Sequence, residues 1–408
     1  SDVCSSDLRN TSKRAAMRYS EALNIEELRA IARRRVPKIA WDFLDGGAED
    51  NLTLDNNREV FKRIRFRPHT MIDVSKRSAQ TEIFGKTFKA PFGIAPTGAA
   101  GLYGFKADSA MARAARDAGL PFVLSTASFE PLEDVAKAAA GGTLWFQLYM
   151  AKSRPPVEKL VTRALEAGFE ALVLTSDVAQ NGNREYNRRN GFTTPLKLNL
   201  RNMIDGALHP RWSLDVFLRT LLDSGVPRYR NVSHDGNARI TDRPAEFQER
   251  REEVNWEDFR WLREFWPRKL FIKGIVRGDD ALKAKQLGAD GVFVSNHGGR
   301  QLDGIISPLE AIPEIRAATG RDFMVMADGG FRRGADIIKA VALGADMAFI
   351  GRPMLYGISA GGEAGARHAL KILLAEIDRV LALTGTRSIA ELNPDLLWHP
   401  DFIPVRKS

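Results

Sequence analysis

KAKQLGADGVFV (Lys283–Val294) and KAVALGADMAFI (Lys339–Ile350) align residue for residue as KAxxLGADxxFx. Each reads as the end of a helix, a glycine that stops it, and a short buried strand. A helix–strand unit written twice predicts a repeating α/β architecture, and the chain supplies further copies. Eight short, nearly continuous apolar runs follow: PFGIAPTG (91–98), PFVLST (121–126), LWFQLY (144–149), ALVLTSD (171–177), LFIKG (270–274), GVFVSN (291–296), FMVMADGG (323–330) and MAFIGR (347–352). Runs of this kind are strands buried on both faces, as in a parallel sheet. Helix-like segments such as ADSAMARAARDA, PPVEKLVTRALEA, GDDALKAKQLG and GADIIKAVALG separate most of them. Eight strand-then-helix units predict an α/β chain folded as a (β/α)8 TIM barrel over about residues 91–385.

Two regions fall outside this pattern. Residues 20–90, which hold the amphipathic stretch NIEELRAIARRRV and the turn-rich LDGGAEDN, are expected to wrap one end of the barrel. Between the fourth and fifth strands lies an insertion, roughly residues 190–255, rich in Arg, Asp, Pro and Asn; so long a connection is usually functional or mobile. Its segment HPRWSLDVFLRTLLDSGVP sets Trp212, Leu214, Val216, Phe217, Leu218, Leu221 and Leu222 among Arg211, Arg219 and Arg228. One expectation is peripheral contact with a membrane, apolar residues dipping in and arginines at the head groups. The other is a helix packed on a neighbouring subunit or on the barrel. Residues 1–16 carry basic residues but no apolar core of a secretory signal, and are expected to be a disordered extension, with Met17 a candidate start and 17–408 a single domain.

With 408 residues, 44% hydrophobic and 27% charged, the chain can bury a large core. The single cysteine, Cys4, excludes an intrachain disulfide framework and a cysteine-rich metal cluster, and points to a reducing, cytoplasmic setting. A net charge of +9 would suit nucleic acid or an anionic membrane. Lys and Arg are spread along the chain, however, without a basic block interleaved with stacking aromatics, so nucleic acid is not an expected partner. No apolar run approaches the roughly 20 residues of a membrane-spanning helix.

The chemistry is concentrated in SNHGGRQLDG, Ser295–Gly304, where His297 and Arg300 share a glycine-softened turn directly after a buried strand. An imidazole that accepts a proton beside a guanidinium that clamps a carboxylate suits the oxidation of a hydroxy acid. Taken alone, His-Gly-Gly is more often a tight turn with a surface histidine. The weight comes from ADGGFRRGAD, Ala327–Asp336, and FIGRP, Phe349–Pro353, whose glycines let backbone N–H groups approach an anion while Arg332, Arg333 and Arg352 supply charge. Active sites of barrels gather at the C-terminal ends of the strands. In strand order the residues there are Thr97 and Gly98, Ser125, Gln147 and Tyr149, Thr175 and Asp177, Lys273, His297 and Arg300, Asp328 to Arg332, and Gly351 with Arg352.

Taken together, SNHGGRQLDG, the WFQLY strand, the DGGFRRGADIIKAVALGA run, IGRP and the early GGAEDN turn resemble the FMN-dependent L-2-hydroxy acid oxidase and dehydrogenase family, over roughly residues 25–397. LSTAS (124–128), DVAQNGNRE (177–185), HPRWSLD and NWEDFRWLREFWP are most similar to its membrane-associated mandelate and lactate dehydrogenase branch. The resemblance implies FMN at the C-terminal mouth of the barrel. By it, the Gly98 backbone, Ser125, Gln147 and Thr175 contact the isoalloxazine, and Lys273 faces its N1/O2 edge. Asp328, Gly330, Arg332, Gly351 and Arg352 hold the ribityl phosphate, with Thr97, Ser295 and Gly329 in the same cofactor-binding set. His297 is the base, Asp177 its orienting carboxylate, Arg300 and Arg184 the grip on the substrate carboxylate, and Tyr149 a hydroxyl beside the reacting oxygen.

Three positions bear on specificity. Phe43 stands in the substrate-binding set where the family commonly has a tyrosine, which removes one hydrogen bond to the carboxylate. Ala127 is smaller than the aromatic of glycolate-oxidising relatives, which widens the pocket for an aryl substituent. Gly98, where oxidases often carry alanine, leans towards a dehydrogenase that hands electrons to a quinone or other membrane acceptor rather than to oxygen. The expected activity is therefore oxidation of an (S)-2-hydroxy acid, (S)-mandelate favoured over L-lactate, by a homo-oligomer, tetrameric in much of the family, in the cytoplasm or on the inner face of the cell membrane. An oxidase that makes hydrogen peroxide, and a flavin-binding protein without turnover, are the alternatives.

Overall fold

The computed structural model describes residues 17–151, 153–192, 196, 199–231, 238–241 and 251–399. The extension expected over residues 1–16, with Cys4, lies outside the described residues. The eight apolar runs form the strands β1 (Phe92–Ile94), β2 (Phe122–Ser125), β3 (Leu144–Leu148), β4 (Ala171–Thr175), β5 (Lys269–Ile275), β6 (Gly291–Val294), β7 (Met324–Asp328) and β8 (Met347–Ile350). They close into a barrel in the order β5-β6-β7-β8-β1-β2-β3-β4, every neighbouring pair parallel. Outside it stand α1 (Ala107–Asp117), α2 (Leu132–Ala138), α3 (Arg154–Glu166), α4 (Trp256–Phe265), α5 (Gly278–Gln286), α6 (Pro308–Thr319), α7 (Gly334–Ala342) and α8 (Arg352–Thr384).

Strand alternation explains both the core and the position of the site. Val123, Trp145, Val173, Phe271, Phe293, Met326 and Phe349 point into the barrel as one apolar cluster, with Trp145 and Phe271 ring centres 5.1 Å apart and Phe293 and Phe349 4.8 Å apart. Two residues further along six of these strands, the next inward position is polar: Ser125, Gln147, Thr175, Lys273, Ser295 and Asp328, all buried. A period of two thus converts a packed floor into a polar ceiling at the C-terminal ends.

The sequence echo has a matching structural basis. Gly288 and Gly344 turn the chain with φ of 86° and 117°, a conformation that side chains disfavour. Each following aspartate then clips the start of the neighbouring strand. Asp290 donates its N–H to the Leu270 carbonyl (2.8 Å), and its carboxylate accepts from the Leu270 N–H (2.9 Å) and Arg263 (3.0 Å). Asp346 does the same with the Val325 carbonyl (2.7 Å), the Val325 N–H (2.7 Å) and Arg316 (2.6 Å).

Residues 20–90 cover both ends of the barrel, not one as expected. A hairpin, Thr81–Ile83 with Lys86–Phe88, plugs the N-terminal end: Ile83 and Phe88 join the interior cluster and Phe84 stacks on Phe271. That end opens on bare aromatic rings, which water would otherwise contact. Helices Lys38–Asp45 and Leu52–Arg63 sit over the other end, where Asp303 accepts from the N–H groups of Leu52 (3.1 Å) and Thr53 (2.7 Å) and caps the second helix.

The described part of the insertion contains helix Leu200–Ala207, a helical segment Pro210–Ser224 with a π turn over Ser213–Leu218, and a small hairpin, Arg228–Tyr229 with Ala238–Arg239. It packs on the barrel's upper loops: Trp212 Nε1 donates to the Leu102 carbonyl (2.7 Å), Lys106 pairs with Asp223 (2.9 Å), and Asn231 bridges Glu130 and Leu132. Its other side leaves Leu200, Met203, Ile204, Leu208, Leu214, Leu218 and Leu222 exposed. Among the described residues no helix is long and apolar enough to cross a membrane.

Candidate active site

Three loops distant in sequence are stitched together over the barrel mouth. The Asn57 and Asn296 side chains exchange hydrogen bonds of 2.9 and 2.8 Å, the Ala48 N–H donates to the Gly299 carbonyl (2.9 Å), and the Glu49 N–H donates to the Asn183 carbonyl (2.9 Å). Beneath them lies a cavity of about 290 Å³. It is lined by Thr97, Gly98, Gln147, Tyr149, Thr175, Lys273, His297, Arg300, Asp328, Gly329, Gly330, Arg332, Gly351 and Arg352, and by Phe43 and Arg184. Of the expected residues, Ser125, Asp177 and Ser295 stand one layer behind, each bonded to a lining residue.

His297 Nδ1 lies 2.9 Å from Asp177 Oδ1, so the proton between them leaves Nε2 as the ring's accepting nitrogen. The backbone of His297 is left-handed, φ 56°, held by its N–H donating to Ser295 Oγ (3.1 Å). Burial pulls the imidazole below its ordinary value, and the Asp177 charge, which pulls the other way, does not fully compensate. For Asp177 burial acts upward, but the His297 and Lys273 charges and the imidazole hydrogen bond outweigh it and hold the carboxyl below its usual range. Near its end β5 passes so close that a Cβ on Gly274, φ 107°, would sit 2.6 Å from Asp177 Cβ; only glycine permits this approach.

Lys273 is buried between Ser295 Oγ (2.5 Å) and Asp328 Oδ2 (2.9 Å), and Ser295 donates on to Asp328 Oδ1 (2.6 Å). Burial alone would lower its pKa, yet Asp328 and Asp177 raise it above the ordinary lysine value, so a permanent cation sits at the cavity floor. Beside it runs a neutral polar row: Ser125 Oγ donates to Gln147 Oε1 (3.0 Å) and Gln147 Nε2 donates to Thr175 Oγ1 (2.9 Å).

The arginines form a second group. Arg300 donates to the carbonyls of Phe43 (2.6 Å) and Gly46 (3.2 Å) and lies 4.7 Å above the Phe43 ring. Arg184 donates to the Arg300 carbonyl (3.1 Å) and Gln301 Oε1 (2.8 Å). Burial, then the charge of Arg184, pushes Arg300 down to about 10, and burial, then Arg300, does the same to Arg352. Cations crowded in this way, Arg300 and Arg352 donating to neutral backbone carbonyls, make a site that favours an incoming anion. Arg352 spends its donors on the carbonyls of Leu44 (3.0 Å), Gly298 (2.9 Å) and Gly46 (2.8 Å), so it carries the loop architecture as well as lining the cavity. Gly330 also has a packing duty: a Cβ there would meet the Asn57 carbonyl oxygen.

An FMN-sized ligand finds matching groups. Thr97 Oγ1 is buried without a hydrogen-bond partner among the described residues, the polar row and the Lys273 cation line one side, and Gly351 caps α8, whose N-terminal end with Arg332 suits a phosphate.

Sequence reasoning missed Phe192, Tyr103, Tyr229 and Gln301. Phe192 stacks on Phe43 at 4.2 Å and Tyr229 lines the same space, its hydroxyl pushed up to about 12 by burial. Both come from the insertion, where no local signal marks an inward aromatic. Gln301 donates to the carbonyls of Asp177 (3.0 Å) and Gln180 (2.8 Å), tying the histidine loop to the aspartate loop. It stands within SNHGGRQLDG and was legible as part of that motif.

A sequence profile of FMN-dependent dehydrogenases matches residues 32–399. The chain is 46% identical to the (S)-mandelate dehydrogenase of Pseudomonas putida, covering 92% of this chain and 93% of that one, and 39% identical to a putative L-lactate dehydrogenase of Mycobacterium tuberculosis, covering 94% and 90%. A crystal structure of the monotopic membrane protein (S)-mandelate dehydrogenase superposes with a TM-score of 0.87 at 45% identity, covering 93% of this chain and 99% of the other. With a closed barrel, a polar ceiling fitted to a flavin and a histidine–carboxylate pair at its mouth, the chain belongs to the FMN-dependent dehydrogenase family and is an FMN-dependent hydroxy acid oxidoreductase.

Proposed function

We propose that this enzyme oxidises an (S)-2-hydroxy acid with an aryl side chain, (S)-mandelate or a near analogue, to the 2-oxo acid, and delivers the electrons to a quinone-type acceptor at a membrane surface. The observation that carries this reading is one cavity lined by a carboxylate-oriented histidine, two arginines and an aromatic wall of Phe43, Phe192 and Tyr229 beside the small Ala127. Arg300 and Arg184 bind the substrate carboxylate. His297 Nε2 takes the proton released as C2 is oxidised, and Asp177 holds the ring and stabilises the imidazolium. The Tyr149 hydroxyl faces the reacting oxygen. FMN, when bound, supplies the two-electron acceptor; Gln147, Thr175 and Thr97 orient it, Lys273 offers charge to its ring, and Arg332 with the start of α8 holds its phosphate. Peripheral membrane association belongs to the same reading, supported by the exposed leucines of the insertion and by the likeness to a monotopic protein. So does a homo-oligomer.

The test is anaerobic titration of the purified protein with (S)-mandelate, followed by air. Bleaching of the flavin bands with slow recovery in air is expected; fast recovery with peroxide would make the enzyme an oxidase, and no bleaching would overturn the substrate. Phe192→Ala should lower kcat/KM for (S)-mandelate about tenfold or more, the worth of a lost apolar contact surface. L-lactate has no aryl group to place there, and its kcat/KM should hardly change; an equal loss for both would remove Phe192 from side-chain recognition.

The pH profile follows from the shifts. His297 lies below the ordinary imidazole value of 6.5 and Asp177 below 3.8, so both keep their working forms as pH falls through 6.5. The acid limb of kcat/KM should therefore lie below 6.5. The same His297 shift means the unfolded chain binds the proton first, so its contribution makes stability decline as pH drops below 6.5. An acid limb above that value would contradict the burial argument.

A further inference from the structure

A second cavity, of about 630 Å³, opens between the end of helix Ile25–Arg35, α1, the insertion helix and the break in α8 at Gly361 and Gly362. Tyr103 lines both this cavity and the catalytic one, and so forms a shared wall. The lining carries an excess of cations. Glu363 is already taken by Arg113 (2.7 Å) and Arg367 (2.6 Å), which leaves Asp215 as the acid among Arg35, Arg211 and Arg219. Burial, reinforced by the Arg211 charge, holds Arg35 below the ordinary arginine value. On the same wall Ser359 is 8% exposed and its hydroxyl has no hydrogen-bond partner among the described residues, although a helical serine can bond back to the preceding turn. The insertion helix that contributes Arg211 and Arg219 also leaves Leu214, Leu218 and Leu222 58%, 42% and 79% exposed. Cationic donors in the cavity and bare leucines on the exposed face of the helix that supplies two of them describe one kind of ligand, an anionic head joined to hydrocarbon.

We propose that this cavity binds the phosphate of an anionic phospholipid, with Arg35, Arg211 and Ser359 on the phosphate oxygens and the acyl chains against Leu214, Leu218 and Leu222. The proposal rests on the peripheral-membrane reading above and adds a defined head-group site to it. A lipid held there fixes the depth of the insertion helix and thereby the height of the catalytic mouth beyond Tyr103.

The test is sedimentation of the FMN-loaded protein with vesicles of phosphatidylcholine alone or mixed with phosphatidylglycerol. The wild type should bind both and prefer the second. Arg35→Gln should cut that preference at least about tenfold, the worth of one charge-assisted hydrogen bond. Val216→Trp should do the same without altering charge, because Val216 lines the cavity and indole fills it. Arg201→Gln, on the exposed helix beside the apolar rim, should cost no more than about fivefold, the worth of a diffuse surface cation. Unchanged flavin bleaching by (S)-mandelate in solution verifies that each variant is folded. Binding to both vesicles without a preference, or a preference that survives Val216→Trp, overturns the head-group site and leaves membrane association standing. No binding to either vesicle overturns both. If inorganic phosphate at matched concentration abolishes the preference, the site is one for free phosphate and the lipid assignment fails.

Discussion

His297→Ala lowers kcat for (S)-mandelate by about 10²–10⁴, the contribution of a positioned general base, while the protein keeps its flavin absorbance. Retention is expected because the backbone at His297 is held independently of the ring: its N–H donates to Ser295 Oγ, and the adjoining loop is pinned by Asn57, Ala48 and Arg352. The ring's own contact is with Asp177, whose other oxygen is buried without a partner among the described residues. Removing the imidazole therefore costs chemistry more than cofactor. The measurement is the anaerobic bleaching rate under single-turnover conditions; a variant that bleaches as fast as the wild type would remove His297 from the reaction. Asp177→Asn should fall in the same direction, since an amide can hold the ring but cannot stabilise its charge.

Lys273→Met is expected to destabilise the protein by about 3–5 kcal/mol, the cost of stripping one partner from a buried ion pair. Lys273 and Asp328 have side chains only 6% and 9% exposed, and Asp177 also draws on the lysine's charge. The variant should unfold at lower urea and purify with less flavin. Lys273→Met with Asp328→Asn should regain part of the stability, because the stranded charge is then gone, but not the activity. Equal urea midpoints for Lys273→Met and the wild type would show that the pair is not a structural element.

The barrel was legible because its signals are local. The glycine-stopped helices and apolar strands sit within a dozen residues of each other, and the two GAD echoes place their aspartates on equivalent backbone groups of neighbouring strands. His297 with Arg300, and Asp328 with Arg332, announced themselves for the same reason, as glycine-rich turns at strand ends. The hairpin under the barrel was not foreseen because Phe84 and Phe88 carry no mark of which end they close; that depends on where Trp145 and Phe271 leave rings bare. Phe192 and Tyr229 were missed because the insertion lacks a period from which an inward face could be read.

By itself the sequence determined the strand count, the parallel barrel and the residues presented at its mouth, since side-chain alternation and glycine stops act over a few residues. The tertiary structure decided which loops share a cavity, which arginines are gathered at its mouth, and where a second cationic pocket forms. Those outcomes depend on contacts such as that of Asn57 with Asn296, 239 positions apart, which only the packed chain brings together.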